Sequence, residues 1–437
     1  MKKNRQLHIG FSLSPTWLKG DRWRDADSDV ENLYSSNFYA KLAKKAENAK
    51  LDFLFKPDVL HLKKDSLNYS PGYSSLDPTL MLASIARETE HIGLVTTIST
   101  TFNSPYVVAR QLQSLNWISN GRAGWNIVTS IDGAENFSNS SMPSSQDRYE
   151  KAYEFTNVVR KLWDSFPYES LIYNRESGKY VHTEKITPIH HNGKFFNIKG
   201  PLNIPAYTSD SLPLFQAGAS PSGRKFAASM ADAVFASTPD IDSGIELRTN
   251  LRNLANKFGR TSDSIRVFPG LYFFLAKTRS EAKDLYNEAH SYMSLEQKYA
   301  LFQSIIGMDI SELPLDQPVT AKMLPDFNQS VRSNTHAELL RNLIRSKEPT
   351  VEELLSKPEV IGSGHWLVVG TVEDAFREII KWFQAEAMDG FIALPGSISS
   401  INLFFDELIP MLVEKGLFRR EYSGSTLCEH LGVHSSQ

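Results

Sequence analysis

The strongest constraint on the fold is a regular alternation between short apolar segments and longer segments with helical spacing. Short β-branched runs predict buried strands, and apolar positions three and four residues apart predict helices. Strands that alternate with helices favour an α/β fold with a parallel sheet. Eight strands predict a closed (β/α)8 barrel of the TIM type, and a doubly wound open sheet is the alternative. The predicted strands cover residues 7–13, 51–55, 91–100, 124–130, 212–218, 231–236, 266–276 and 389–394.

One helix and the strand after it show where a ligand is expected. Val108, Leu112 and Leu115 repeat at helical spacing, so one face of this helix is predicted to be buried. Asn120 and Gly121 end it, because both residues tolerate the left-handed backbone that closes a helix. The following strand, GWNIVTS, finishes in polar residues. In α/β enzymes ligands bind at the carboxyl ends of parallel strands.

The length of 437 residues suits one barrel with insertions. No linker divides the chain, so a single domain over residues 1–437 is predicted. Residues 167–212 are expected to form short strands and turns, and residues 295–365 are expected to form irregular helices. Both segments are longer than a simple connection. They are interpreted as insertions, the second near the mouth of the barrel.

Composition and charge exclude several classes of protein. The formal net charge of −3 gives no reason to expect nucleic acid or an anionic membrane surface as a partner. No apolar run of about 18 residues predicts a transmembrane helix, and the N-terminus lacks a signal peptide's apolar core. The single cysteine, Cys428, favours a reducing compartment, so a cytoplasmic protein is expected. No histidine or cysteine spacing predicts a metal site.

The stretch QAGASPSGRKFA at residues 216–227 predicts an anion-binding helix terminus. Ser220 is placed as an N-cap, with Pro221 at the first helical position. The free amides of Ser222 and Gly223 would then face outward at the positive end of the helix dipole, where phosphate binds. Arg224 can add a charge-assisted contact. An ordinary capped helix is the alternative.

Three other positions are candidates for ligand contacts. Asp58 directly follows a predicted buried strand and can accept hydrogen bonds from a ring N–H or a sugar hydroxyl, or it caps the next turn. Thr96 lies in a threonine-rich strand, where threonine also serves packing. Tyr149 begins a long helix, where its hydroxyl can reach a ligand or its ring can join the core. No G-x-G-x-x-G follows a strand, so no built-in dinucleotide domain is predicted.

Four longer strings resemble one known family. They are ARQLQSLNWISNGRAGWNIVTS, QAGASPSGRKFAASMADAVF, VVGTVEDAFREIIKWFQAEAMDGFIALP and GLFRREYSGSTLCEHLG. They resemble the large components of two-component flavin monooxygenases in the bacterial luciferase-like superfamily. The similar branch contains nitrilotriacetate, EDTA and dibenzothiophene-sulfone monooxygenases. The resemblance runs nearly end to end, from LHIGFSLS to EHLG.

The resemblance implies a TIM-type barrel that binds reduced FMN at the carboxyl ends of its strands. A separate NAD(P)H-dependent flavin reductase would supply the FMNH2, which agrees with the missing dinucleotide fingerprint. In the family, O2 adds to the flavin C4a, and the resulting (hydro)peroxide oxygenates the substrate. The protein's part in such chemistry is orientation, exclusion of water and electrostatics.

The family motifs carry over to individual residues. By this resemblance Asp58 contacts the flavin, Thr96 lies near its ring, and Tyr149 and Ser220 hold the ribityl and phosphate portions. Ser145 stands where members commonly have a histidine, four residues before the tyrosine. A serine can hydrogen-bond to flavin but cannot become an imidazolium, so Ser145 cannot take over an acid–base role of that histidine.

The leading hypothesis is therefore an FMNH2-dependent monooxygenase that acts on a small organosulfur or aminocarboxylate compound. One alternative is a deazaflavin F420-dependent oxidoreductase on the same barrel. Another is a flavin-binding protein without catalysis, which the missing histidine favours. The resemblance also favours a homodimer or homotetramer. The substrate is expected to be decided by loops at residues 14–37, 61–75, 131–146 and 295–365.

Overall fold

The computed structural model describes residues 5–433 except 63, 65–66, 68–70, 73, 138–140, 209–210, 219, 291–292, 326–333 and 362–363. Parts of the predicted loops 61–75, 131–146 and 295–365 therefore lie outside the described residues. The strands are β1 (His8–Ser12), β2 (Phe53–Lys56), β3 (Gly93–Ser99), β4 (Ala123–Val128), β5 (Leu171–Asn174), β6 (Lys179–Val181), β7 (His191–Asn192), β8 (Asn197–Ile198), β9 (Leu214–Gln216), β10 (Ala233–Ala236), β11 (Arg266–Leu275), β12 (Trp366–Gly370) and β13 (Gly390–Pro395).

Within the described residues, eight parallel strands close into a barrel. Their order around the barrel is β1-β2-β3-β4-β9-β10-β11-β13, and β13 returns to pair with β1. The pairing of β10 with β11, which aligns Ala233 with Arg266, completes the closure. The predicted (β/α)8 barrel is therefore confirmed, and the open sheet is not observed.

The strand β12 was not among the predicted strands. β11 has ten residues and extends beyond the neighbouring β10. The last pair between the two strands is Ala236 of β10 with Pro269 of β11. β12 continues the wall from that point, with Trp366 opposite Leu271. Whether such a short apolar run pairs as a strand depends on the unpaired length of β11, and the local sequence does not contain that information.

Helices cover the outside of the barrel, and side chains cap the amino termini of several of them. The side chain of Thr371, for example, accepts a hydrogen bond from the amide of Asp374. The last barrel helix begins at Ile398. The helices are α1 (Ser36–Asn48), α2 (Pro78–Ile85), α3 (Pro105–Ile118), α4 (Ser145–Asp164), α5 (Pro221–Met230), α6 (Ile241–Lys257), α7 (Arg279–His290), α8 (Leu295–Ile306), α9 (Asn334–Lys347), α10 (Val351–Leu354), α11 (Pro358–Ile361), α12 (Val372–Gln384), α13 (Ile398–Leu403), α14 (Ile409–Glu414) and α15 (Leu427–Leu431).

The two predicted insertions have different structures. Residues 167–212 contain two antiparallel pairs, β5 with β6 and β7 with β8, in line with the predicted short strands. Helices α8 to α11 build a separate apolar cluster around Phe302 and Leu340. That cluster shows how the second insertion is stabilised, because its apolar side chains are removed from water together. The single-domain assignment for residues 1–437 stays a prediction.

Aromatic side chains fill the interior of the barrel near the amino-terminal ends of the strands. Phe53, on β2, contacts Phe215 and Phe268 with ring centroids 5.1 and 5.6 Å apart. Leu427 and Leu431 of α15 join the same cluster from the amino-terminal end of the strands. The core and α15 therefore close this end, and the opposite end remains as the mouth at which a ligand can bind.

A buried ion pair fastens the C-terminal segment to this closed end. The Asp52 carboxylate is fully buried and binds the Arg419 guanidinium, His8 Nδ1 at 2.9 Å and the Ile9 amide at 2.7 Å. Burial alone would raise the pKa of Asp52. The Arg419 charge, followed by His8 and the Ile9 amide, outweighs that effect and holds the pKa below its usual value.

None of the helices in the described part of the chain combines the length and apolar character needed to cross a bilayer.

Candidate active site at the barrel mouth

The amino terminus of α5 forms one side of the mouth. It follows β9, and the Ser220 hydroxyl caps it by accepting a hydrogen bond from the Gly223 amide at 3.2 Å. The predicted N-cap and the position of Pro221 are confirmed. The prediction of a free Gly223 amide is wrong, because that amide serves the cap. The terminus still presents the positive end of the helix dipole.

The Tyr149 hydroxyl reaches this terminus from α4. A Cβ atom placed on Gly218 or on Gly223 would lie 2.8 Å from Tyr149 Oη, closer than real Cβ contacts. The two glycines therefore leave the space that the hydroxyl occupies. We call Tyr149, Gly218, Ser220 and Gly223 the cradle. It combines a hydroxyl donor with a helix amino terminus, an arrangement suited to an anion.

Three other residues from this region lie outside the cradle. Ser222 is in the first turn of α5 and exposed. The Arg224 guanidinium binds the Glu246 carboxylate of α6 at 2.6 Å, so this contact occupies part of its hydrogen-bonding capacity. Ser145 is the first residue of α4 rather than part of the predicted loop. It is half-buried and one turn before Tyr149, and residues at this spacing share a helix face.

Asp58 is half-buried immediately after β2, at the mouth where it was predicted. One carboxylate oxygen accepts the Val59 amide at 2.9 Å, so the capping interpretation holds for that oxygen. Burial, together with the nearby Asp77 charge, raises the pKa of Asp58, although the Val59 amide and Lys56 oppose the shift. Lys56 is itself buried, which lowers its pKa to about 8. Sequence reasoning missed this lysine.

The strand β3 directs Thr97, and not Thr96, toward the interior. Val95 belongs to the interior cluster, and side chains alternate along a strand, so Thr97 shares its face. The Thr96 hydroxyl instead lies 2.9 Å from the Thr79 hydroxyl on the outer helix α2. Thr96 is fully buried there. The structure thus places Thr96 away from the mouth, which counts against its predicted contact with a flavin ring.

Thr97 forms part of a polar pair that the sequence did not single out. The side-chain amide of Asn126, on β4, donates to the Thr97 hydroxyl at 2.9 Å. The Asn126 oxygen is buried and has no hydrogen-bond partner among the described residues. A buried acceptor without a partner is costly, so a ligand donor at this point would be stabilised. Strand alternation places Thr97 on the same face as Val95, but only the structure shows that this face points inward.

The remaining arc of the mouth is aromatic. Tyr272 and Phe274 of β11 lie on the inner face, together with Leu394 of β13. The His365 ring, just before β12, stacks on Phe235 at 5.3 Å and 12°. The sequence did not predict this position for His365, because residues 295–365 were assigned to a helical insertion.

A profile of the luciferase-like monooxygenase family matches residues 26–387 of this chain. The chain is 35% identical over 448 residues to nitrilotriacetate monooxygenase component A of Aminobacter aminovorans, covering 99% of this chain and 98% of that protein. It is 34% identical over 436 residues to N-acetyl-S-(2-succino)cysteine monooxygenase of Bacillus subtilis (strain 168), covering 99% and 97%.

A solved structure with a related sequence has the same barrel fold. A riboflavin lyase crystallised with modified FMN and its substrate riboflavin superposes with a TM-score of 0.84 at 26% identity. The match covers 98% of this chain and 96% of that one. The sequence similarity and the barrel therefore agree over nearly the whole length.

Proposed function

Because the chain belongs to the luciferase-like monooxygenase family, we propose that it is the oxygenase component of a two-component system that uses FMNH2 and O2. It is an oxidoreductase of the monooxygenase class, like the relatives described above. A separate NAD(P)H-dependent FMN reductase supplies the reduced flavin. The observation that carries the proposal is the cradle, in which a tyrosine hydroxyl meets a helix amino terminus at the barrel mouth.

The described residues fit FMN at both ends of that ligand. Gly218 and Gly223 leave room for Tyr149 Oη beside the amino terminus of α5, so the hydroxyl can donate to a phosphate that binds at this terminus. On the neighbouring strand β4, the unpartnered Asn126 oxygen can accept a flavin ring N–H. Asp58 supplies a further acceptor for the ring or the ribityl hydroxyls. Thr97 takes the place first predicted for Thr96.

These positions suggest a separate role for the flavin and for each group of residues around it. Reduced flavin, when bound, supplies the electrons that activate O2. Tyr149, Ser220 and the first turn of α5, including Ser222, fix the phosphate end. Asp58 and the Thr97–Asn126 pair orient the ring end. The aromatic arc formed by Phe235, Tyr272 and Phe274 limits water at the reacting face.

Ser145 faces the same side of α4 as Tyr149, one turn earlier. Its hydroxyl can hydrogen-bond to the flavin, but a serine does not change charge between pH 5 and 8, as a histidine would. In this protein, proton transfer therefore belongs to another group or to water.

The substrate is a small organosulfur or aminocarboxylate compound. Support comes from relatives whose names specify nitrilotriacetate and N-acetyl-S-(2-succino)cysteine. The enzyme acts as a homodimer or homotetramer. A cytoplasmic location fits the single cysteine, Cys428, which is buried and donates its thiol to the Ser211 carbonyl oxygen at 3.0 Å.

An anaerobic titration with FMNH2 tests the cofactor assignment. The variants Asp58→Ala and Ser220→Ala should each weaken FMNH2 binding by about 1–3 kcal/mol, because ligand groups lose a partner. Wild-type affinity in both variants would contradict the placement. Ser222→Ala is the matched control for Ser220→Ala, since it removes a hydroxyl from the same turn but keeps both the cap and the Ser222 backbone amide that is proposed to face the phosphate.

Mass spectrometry of products tests the reaction. The protein, a flavin reductase, FMN and NADH should oxygenate a thioether or an aminocarboxylate only when O2 is present. Turnover with reduced F420 in the absence of O2 would support the deazaflavin alternative. Flavin binding without turnover of any member of a panel of S-substituted cysteines and chelators would support the non-catalytic alternative.

A further inference from the structure

The mouth of the barrel divides into two arcs. Asp58, the Thr97–Asn126 pair and the cradle follow the strands β2, β3, β4 and β9 in turn. The other arc consists of β10, β11, β12, β13 and the loop after β1. If the flavin occupies the first arc, the substrate must contact the second, so the charges of that second arc decide which substrates fit.

Lys19 brings a positive charge to the second arc. It lies in the loop after β1, next to Gly20, whose φ of 62° makes a left-handed turn. The Lys19 ammonium stands 5.3 Å from the centroid of the Tyr272 ring. Tyr272 is buried on the inner face of β11. The ammonium is therefore held against the aromatic wall of the mouth by a cation–π contact.

No acidic residue of the described chain forms an ion pair with Lys19. Acidic side chains nearby along the chain and on α7 have other partners: Arg22 binds Asp25 at 3.0 Å and Glu288 at 2.5 Å. A half-buried ammonium whose contact is an aromatic face retains most of its capacity for an anion.

The histidines beside Lys19 add no charge. His290 Nδ1 donates to the Tyr286 carbonyl oxygen, 2.7 Å away. Burial lowers the pKa of His290 to about 4 despite that carbonyl, and the Lys19 charge adds to the effect. Burial also lowers the pKa of His365 to about 3, with smaller contributions from His336 and Lys19. At neutral pH both rings are uncharged, so Lys19 is the cation of this group.

We propose that Lys19 binds a carboxylate of the substrate and so selects carboxylate-bearing thioethers or amines over neutral ones. The inference rests on the proposed function, because it assigns the second arc of the same mouth to the substrate. The ring of Phe235, which is half-buried on the same wall, would pack against the thioether or alkyl part, since sulfur and methylene groups contact aromatic faces favourably. Lys19 is thus a specificity-determining residue.

The proposal can be tested with two probes that share one carbon skeleton and differ in charge. They are N-acetyl-S-(carboxymethyl)cysteine, which carries carboxylates, and its neutral dimethyl ester. Calorimetric titration of the FMN-loaded and FMN-free wild-type protein should give on the order of tenfold tighter binding of the acid. Lys19→Met should remove this preference, because methionine keeps the length and loses the charge. Lys19→Arg should restore part of it. Lys283→Met, at an exposed lysine of α7, should keep it fully.

Two results would overturn the proposal: a wild-type protein that binds acid and ester equally, or a Lys19→Met variant that keeps the preference. Thermal unfolding of each variant checks that the fold is intact. The FMNH2 titration of wild type is read separately. If the wild-type protein does not bind FMNH2, the proposed cofactor is refuted. The role of Lys19 is decided separately, by the ratio of the dissociation constants of the acid and the ester.

Discussion

Replacing Gly218 by alanine should weaken flavin binding through the Tyr149 hydroxyl. The new Cβ would lie 2.4 Å from Gln216 Nε2 and 2.8 Å from Tyr149 Oη, and both atoms belong to side chains. The backbone of Gly218 has no positive φ, so alanine strains only its neighbours. Tyr149 must therefore move, and the hydrogen bond proposed between its hydroxyl and the phosphate should be lost.

The expected loss is that of one hydrogen bond to a charged group, about 1.5–3 kcal/mol. This corresponds to a rise in the dissociation constant of FMNH2 by a factor of about 10 to 150. Tyr149→Phe should cost a similar amount, because it removes the same hydroxyl and leaves the ring in place. Thermal unfolding should shift little in either variant, since neither substitution removes a group from the core.

A double-mutant cycle tests whether the glycine acts through the tyrosine. In the Tyr149→Phe background the hydroxyl that the new Cβ would meet is absent, so Gly218→Ala should add little there. The assay is anaerobic fluorescence titration of FMNH2 on the four proteins. Additive losses would show that Gly218 and Tyr149 act independently, and the cradle would then be the wrong account of the anion site.

Other substitutions test the remaining parts of the mouth and the closed end. Thr97→Val should weaken FMNH2 binding, whereas Thr96→Val should leave it unchanged and cost about 1 kcal/mol of stability in urea unfolding; the reverse pattern would contradict the strand alternation. Ser145→His should introduce a pH dependence near pH 6–7 into oxygen-dependent flavin reoxidation, and an unchanged stopped-flow profile would mean that the position is remote. Arg419→Met should cost about 3 kcal/mol, because the buried Asp52 carboxylate loses its guanidinium partner and keeps only His8 and the Ile9 amide. Because the pKa of Asp52 is depressed on folding, its stabilisation in the wild type is present above about pH 4 and is lost as the pH falls further. A flat urea midpoint between pH 7 and pH 3 would refute that role.

Local patterns in the sequence were sufficient for the barrel and for the capped helix α5. Period-two and period-3.6 spacing reports which face of an element is buried, and capping uses only neighbours in the chain. Ser220 and Pro221 therefore lie where they were predicted. The family strings located the same region, and Ser145 was recognisable as an unusual residue before any geometry was known.

Contacts between distant segments could not be deduced in this way. The free amide expected at Gly223 is taken by Ser220, and β12 forms because β11 extends beyond β10. Lys19 and Tyr272 are more than 250 positions apart in the chain, and no local pattern connects them.

Local sequence patterns therefore predict the alternation of elements, favour a closed parallel barrel over an open sheet, and place a capped helix terminus at its mouth. The folded structure was needed to show that Thr97 faces inward, that the Tyr149 hydroxyl lies against Gly218 and Gly223, and that the Lys19 ammonium lies over the Tyr272 ring. The physical reason is that periodicity and capping depend on neighbours along the chain. The direction of a side chain at the mouth depends instead on register and packing between strands that the chain brings together only on folding.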